Sequence, residues 1–278
     1  MWANERWKGG LFPKNCRSSE YLAHYSQYFN AVEGNTTFYA DPTPETIERW
    51  AHAVPTDFRF TLKVPKRLSH QPHPEVIPEL RQWLNLLKPL QSKIGFIHLQ
   101  LPASNSVPEP HKLKEFIHEI HQFAPCCVEV RHLNFFDKAQ HEQVLHQILR
   151  AAQAERMCFD SRALFSVVAD TAELIDAQAK KPRLPVHAVA LTDRPSFRFI
   201  GVNDMEINRQ FYQPWLLKMQ QWLLDGKTPY AFFHTPDNQL APELARQFAE
   251  DLFALTGQSH PVLAPWPEAQ APVQQGLF

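Results

Sequence analysis

Residues 58–64 read FRFTLKV, and their alternation decides the fold. Phe58, Phe60, Leu62 and Val64 share one phase, while Arg59, Thr61 and Lys63 share the other. Successive side chains on a strand point to opposite faces, so one face here is apolar and the other polar. The segment lies between two stretches of helical periodicity, Pro44 to Ala53 and Glu75 to Leu87. A strand flanked by helices in this way belongs to a βαβ unit.

The same pattern repeats outward along the chain. Further strands are predicted at Phe29 to Glu33, Ile94 to Leu101, Cys126 to Arg131, Arg156 to Asp160, Phe197 to Gly201 and Tyr230 to His234. Helices are predicted at Ser19 to Tyr28, Lys112 to Phe123, Lys138 to Ala152, Ala172 to Lys180, Asn208 to Leu224 and Pro242 to Leu255. Right-handed crossovers repeated this often close into a barrel. The predicted fold class is therefore α/β, a TIM-type (β/α)8 barrel. Only seven strands are found, so the first is expected to be absent. The barrel-like domain is expected over residues 1–256. An extended Pro-rich C-terminal tail is expected over 257–278, where helical periodicity fades.

In a barrel one strand face meets the helices and the other fills the interior. Lys63 is then expected inside with Arg59 and Thr61. Phe96, His98 and Gln100 are expected inside from the third strand, and Cys127, Glu129 and Arg131 from the fourth. In the fifth, Met157 and Phe159 are expected to pack outward while Cys158 and Asp160 face in. The seventh is ambiguous, because Tyr230, Phe232 and His234 alternate with Ala231 and Phe233. Polar residues at the C-terminal strand ends converge: Glu33, Asn35, Lys63, Gln100, Glu129, Arg131, Asp160, Arg162, Asn203 and His234. Active sites of such barrels sit at that end.

Composition excludes several classes. Hydrophobic residues are 44% and charged residues 21%, as in an ordinary globular chain. A net charge of -1 excludes a globally basic nucleic-acid coat and leaves room for a local patch. Neither a dinucleotide-binding nor a P-loop glycine pattern is present. Cys16, Cys126, Cys127 and Cys158 form no C-x-x-C pair, so no structural zinc is expected. Apolar-flanked free thiols, an opening MWANERWKGG without an apolar core, and the lack of a long apolar run point to a cytoplasmic protein without a membrane partner.

The candidate chemistry follows from residue types. Glu129 and Asp160 are the candidate catalytic carboxylates, because acid–base work needs a carboxyl tuned by burial and neighbours. Lys63, Arg131 and Arg162 suit a phosphate- or carboxylate-bearing ligand. Asn35, Gln100 and His234 would orient it, and Glu33 and Asn203 are further ligand-binding candidates. Lys63 as a Schiff-base amine is the lesser reading, and Cys158 lacks an adjacent His to activate it. No cofactor is expected. A metal is the weaker alternative, since cations would crowd Glu33, His98, Glu129, Asp160 and His234. His118 and His121 read as surface histidines of a helix.

Seven ordered motifs resemble one family: VEGNTTFYADP (Val32 to Pro42), FRFTLKVPKRLSH (Phe58 to His70), GFIHLQLP (Gly95 to Pro102), VEVRH (Val128 to His132), FDSR (Phe159 to Arg162), FRFIG (Phe197 to Gly201) and FFHTPDN (Phe232 to Asn238). The chain resembles the YecE-like family, domain of unknown function 72. The resemblance implies a TIM barrel without an assigned activity. Relatives usually open with a short strand ending in Gly before a Trp-containing loop. Here MWANERW begins near that Trp, so a late gene start or a truncated chain is expected. Ile200 stands where many relatives carry His, and FFHTPDN replaces a run of asparagines.

The last residues carry another signal. Gln274, Leu277 and Phe278 form a Q-x-x-L-F ending that resembles the peptide by which bacterial proteins dock on the sliding clamp. Two function classes follow, and the sequence leaves open whether the protein is an enzyme. One is an enzyme binding a small anionic ligand at the strand C-termini, in nucleic-acid metabolism if the tail docks. The alternative is a non-catalytic nucleic-acid-binding or sliding-clamp-associated accessory protein, using loop cations Lys66, Arg67 and Arg162.

Overall fold

The computed structural model describes residues 2–70, 74–104 and 110–267. In chain order it contains α1 (Tyr21–Tyr28), β1 (Ala31–Gly34), α2 (Pro44–Ala53), β2 (Arg59–Lys63), α3 (Lys66–Ser69), α4 (Ile77–Leu86), β3 (Ile94–Gln100), α5 (Pro110–His121), β4 (Cys126–Glu129), α6 (Gln140–Ala151), β5 (Glu155–Asp160), α7 (Ala172–Lys180), β6 (Ser196–Ile200), α8 (Met205–Leu224), β7 (Tyr230–His234) and α9 (Ala241–Thr256). The strands form one parallel sheet in sequence order, β1 to β7. The sheet curls into a nearly closed barrel, and among the described residues no ladder joins β1 to β7.

Local chemistry sets the element boundaries. Thr43 caps α2 by accepting from the Thr46 amide, with Pro44 opening the helix. Asp204 caps α8 through the Glu206 and Ile207 amides. Gly257 ends α9 at φ 71°, a left-handed conformation that favours glycine. Beyond it the chain stays on the barrel: Val262 and Trp266 are buried with Trp7, Tyr28 and Phe29. Gln274, Leu277 and Phe278 lie outside the described residues.

Two apolar layers lie between sheet and helices. Val32, Phe60, Leu62, Ile97, Leu99 and Val128 pack against the helices on one side of the barrel. On the other, the Phe197 ring stacks on Trp215 of α8 at 4.2 Å between centroids. Inside, Phe96, Cys127, Met157 and Phe232 form an apolar floor. This floor leaves the polar interior positions at the C-terminal strand ends.

The parity expected for β5 is corrected. Met157 belongs to the interior floor. Phe159 lies under the Arg198 guanidinium, 5.5 Å from its ring centroid. The opposite face carries Arg156, Cys158 and Asp160. Arg156 donates to Glu142 of α6 at 2.6 Å, and Cys158 packs with Phe197 and Trp215. The bulky α8 aromatics leave room on the helix side for a small thiol. The larger Met157 fills the interior, and Phe159 of the same phase packs above it against Leu164, Ala177, Leu184 and Ile200.

Candidate functional site

The site is built from strand ends. Glu33 of β1 and Glu129 of β4 are 2% and 0% exposed, deep in the mouth of the barrel. A buried carboxylate needs charge-assisted partners. Arg198 of β6 supplies them to both: its Nε lies 2.9 Å from Glu33 Oε1 and its Nη1 donates to Glu129 Oε2 at 3.1 Å. His98 of β3 sits between the same two acids, with Nε2 3.1 Å from Glu129 and Nδ1 3.5 Å from Glu33. His234 of β7 completes the ring, with Nε2 3.3 Å from Glu33 Oε2 and Nδ1 3.1 Å from Asn238 Oδ1. Asn35 donates to Glu33 Oε2 at 2.8 Å.

Above this ring lies a second tier. Lys63 Nζ donates to Gln100 Oε1 at 2.9 Å, and Arg131 Nη2 donates to the same oxygen at 2.9 Å. Arg131 Nε also donates to Glu129 Oε1 at 2.7 Å. Two cations on one amide oxygen fix the orientation of Gln100 and hold each other close despite like charge. Lys63 packs over the Phe38 ring. Lys181, just past α7, feels the charges of Arg198, Glu33, Glu129 and Arg131.

Burial and these charges set the protonation states. For Glu129, burial works to raise the carboxyl, but Arg131, Lys63 and Arg198 hold it well below the usual range. Glu33 follows the same balance, with Arg198 the leading cation. Burial, assisted by the charge of Arg198, lowers the Lys63 ammonium to about 8. Lys181 is lowered to about 8 for the same reasons. Burial pushes the His234 imidazole down to about 4, so it is neutral near pH 7.

The other candidates fall elsewhere. Asp160 is fully buried on the helix side of β5, where its carboxylate accepts from Trp215 Nε1 at 2.8 Å and from Arg162 Nη2 at 2.8 Å. Both residues therefore leave the set expected to converge, because β5 has the opposite parity to that read from its sequence. Asn203 is exposed beyond β6. Arg198 and Lys181 are site residues absent from the set expected to converge, and His98, expected inside and weighed only as a metal ligand, joins them between Glu33 and Glu129. Arg198 was legible: in SFRFI, Phe197 and Phe199 share the apolar phase, which turns the arginine inward. Among the described residues no cluster of three or more His, Cys, Asp or Glu is arranged to hold a metal ion.

The arrangement as a whole carries more positive than negative charge. Two ionised carboxylates are faced by the cations Lys63, Arg131, Lys181 and Arg198. The excess of positive charge is set in a buried mouth, where screening by water is weak.

Known proteins resemble this chain in sequence and in fold. The chain is 42% identical over 232 residues to the UPF0759 protein YecE of Escherichia coli strain K12, covering 83% of this chain and 85% of that one. It is 41% identical to the corresponding O157:H7 protein over the same shares. A solved DUF72 family protein from Enterococcus faecalis V583 superposes with a TM-score of 0.65 at 17% identity, covering 94% of each chain. One from Thermotoga maritima MSB8 gives 0.60 at 20%, covering 91% of this chain and 96% of that one. At such identities the likeness shows the fold alone. The family model described as "Protein of unknown function DUF72" matches residues 1–271, and together with the YecE relatives it places the chain in the DUF72 family.

Proposed function

We propose that the barrel mouth binds a small phosphate- or carboxylate-bearing ligand, and that the protein is an enzyme acting on it. The observation that carries this reading is the charge excess: four cations and two ionised carboxylates around one buried opening. Lys63 and Arg131 both donate to Gln100 Oε1, which holds two cationic donors together, as a clamp on one anionic group requires. Lys181 would close over the anion from the loop after α7. Glu129 is the candidate base, already ionised and fixed by Arg131, Arg198 and His98. Gln100, Asn35 and His234 would orient the substrate. Asp160 has no role here.

The test is isothermal titration with inorganic phosphate and with citrate. Saturable binding that falls at least about tenfold in Lys63→Met supports the clamp. No saturable heat with either anion at about 10 mM would overturn it. In a screen of phosphorylated and carboxylated compounds, turnover lost in Glu129→Gln with anion binding retained supports the base.

The accessory-protein reading rests on the terminal Q-x-x-L-F peptide. Its loop cations are partly spent within the chain: Arg67 pairs with Asp41 at 2.9 Å and Arg162 with Asp160 at 2.8 Å. A pull-down with a bacterial sliding clamp, comparing the full chain with one lacking Leu277 and Phe278, tests it. Equal retention of both chains would dismiss it.

A further inference from the structure

The loops that follow β1 and β2 enclose a groove of about 650 Å³ beside the barrel mouth. Phe38 lines it, and the same ring lies 5.7 Å from Lys63 Nζ. Groove and cationic tier therefore share one wall. Tyr39 borders the groove edge-on to Phe38, with 5.2 Å between ring centroids, and is 82% exposed. His70, at the end of α3, also lines the groove, with its ring 5.7 Å from that of Phe38. The charge of Arg131 reaches it from the mouth.

An exposed tyrosine is ordinary by itself. Here it stands beside a groove that holds a second feature. His70 Nε2 is buried and has no hydrogen-bond partner among the described residues. Such an atom costs free energy until a ligand supplies the partner. Burial and the charges of Lys66 and Arg131 lower the His70 imidazole, so near pH 7 it is neutral and suits a polar ring edge better than an anion. Arg67, on the same groove, is held by Asp41 in a two-pronged pair. A second phosphate would thus meet little uncommitted charge, and a hydrocarbon ring would leave His70 unpaired. A heteroaromatic ring meets both demands, with its face on Tyr39 and its edge at His70.

We propose that this groove is a ring subsite and that the ligand of the barrel mouth is a nucleotide. The base stacks on Tyr39 with its polar edge at His70 Nε2, the sugar passes over Phe38, and the phosphate rests against Lys63 and Arg131. Spacing favours this order. One step of 5.7 Å runs from Lys63 Nζ to the Phe38 ring and another of 5.2 Å from there to Tyr39. Phosphate and ring are therefore joined by a spacer of sugar length. The proposal rests on the anion-binding reading and names its substrate class.

The experiment is isothermal titration of the full chain with ribose phosphate and with the monophosphates of adenosine, guanosine, cytidine and uridine. At least one nucleotide should bind about tenfold or more tighter than ribose phosphate. Tyr39→Ala should remove that gain and leave ribose phosphate within about twofold, while Tyr39→Phe, which keeps the ring, should retain it. Tyr39 is exposed, so neither variant threatens the fold. Lys63→Met separates the two readings: it should weaken ribose phosphate and nucleotide alike and leave their ratio unchanged. Ribose phosphate bound with no gain from any base, or a gain that survives in Tyr39→Ala, overturns the ring subsite and leaves the anion clamp standing. Nucleotide affinity untouched by Lys63→Met overturns the clamp, and with it a ligand that spans both.

Discussion

Lys63 shows at the residue scale how this chain trades stability for a charged mouth. Its ammonium is buried and lowered to about 8, so folding carries a cost at neutral pH that the unfolded chain avoids. Lys63→Met should raise the melting temperature, with about 1–2 kcal/mol of stabilisation, while weakening anion binding at least about tenfold. Thermal denaturation beside isothermal titration checks both; a fall in both would mean that the lysine serves as a structural pair. Phosphate affinity of the wild type should decline as pH rises through about 8, because Lys63 and Lys181 then lose their charge. Arg198 behaves in the opposite way. It is the shared partner of two buried carboxylates, so Arg198→Met strands both and should cost about 3–5 kcal/mol in chemical denaturation.

The element scale is governed by parity and by close approach. Because β5 turns Asp160 toward α8, Asp160→Asn should leave phosphate affinity within about twofold. It should lower stability by about 1–3 kcal/mol through loss of the charged acceptor for Trp215 and Arg162. A large drop in affinity would restore Asp160 to the mouth. The turn from β6 into α8 is equally constrained. Asn208 accepts from the Val202 amide and donates to the Val202 carbonyl, both at 2.8 Å. A methyl group on Gly201 would meet Asn208 Oδ1 at 2.4 Å. Gly201→Ala should therefore push out the asparagine and cost about 1–3 kcal/mol, measurable by urea denaturation.

Acid lability belongs to the whole molecule, because it depends on groups brought from β1, β4 and β7. His234 binds its proton near 6.5 when unfolded and near 4 when folded. The stability it contributes is complete above about pH 6.5 and is lost as pH falls toward 4, amounting to up to about 3 kcal/mol. Glu33 and Glu129, held well below their ordinary range, add a loss that begins below about 4.5. The melting temperature should thus fall between pH 6.5 and 4 and steepen below 4.5; a flat profile would contradict the burial of this cluster. The junction of β1 and β7 sets a second global property. Amides of β1 and β7 should exchange faster than those of β3 and β4, which are laddered on both sides.

The alternation in FRFTLKV, GFIHLQL and VEVR was enough to set the inward aim of Lys63, Gln100, Glu129 and Arg131, and the succession of strand and helix patterns along the whole chain pointed to the nearly closed parallel barrel. Polarity of period two is a local property, and one face of each of these strands is plainly apolar. The strand RMCFD defeated that reading, because Met157 and Phe159 are as apolar as any helix-facing pair yet take the inward phase, while Asp160 accepts from Trp215 of α8 and pairs with Arg162. Only three-dimensional packing decides which of two apolar environments a side chain enters, since both remove it from water equally well. The convergence of Arg198 on Glu33 and Glu129, residues far apart in sequence, likewise exists only once the sheet has curled. Periodicity can state which face a residue occupies, but not what stands opposite it.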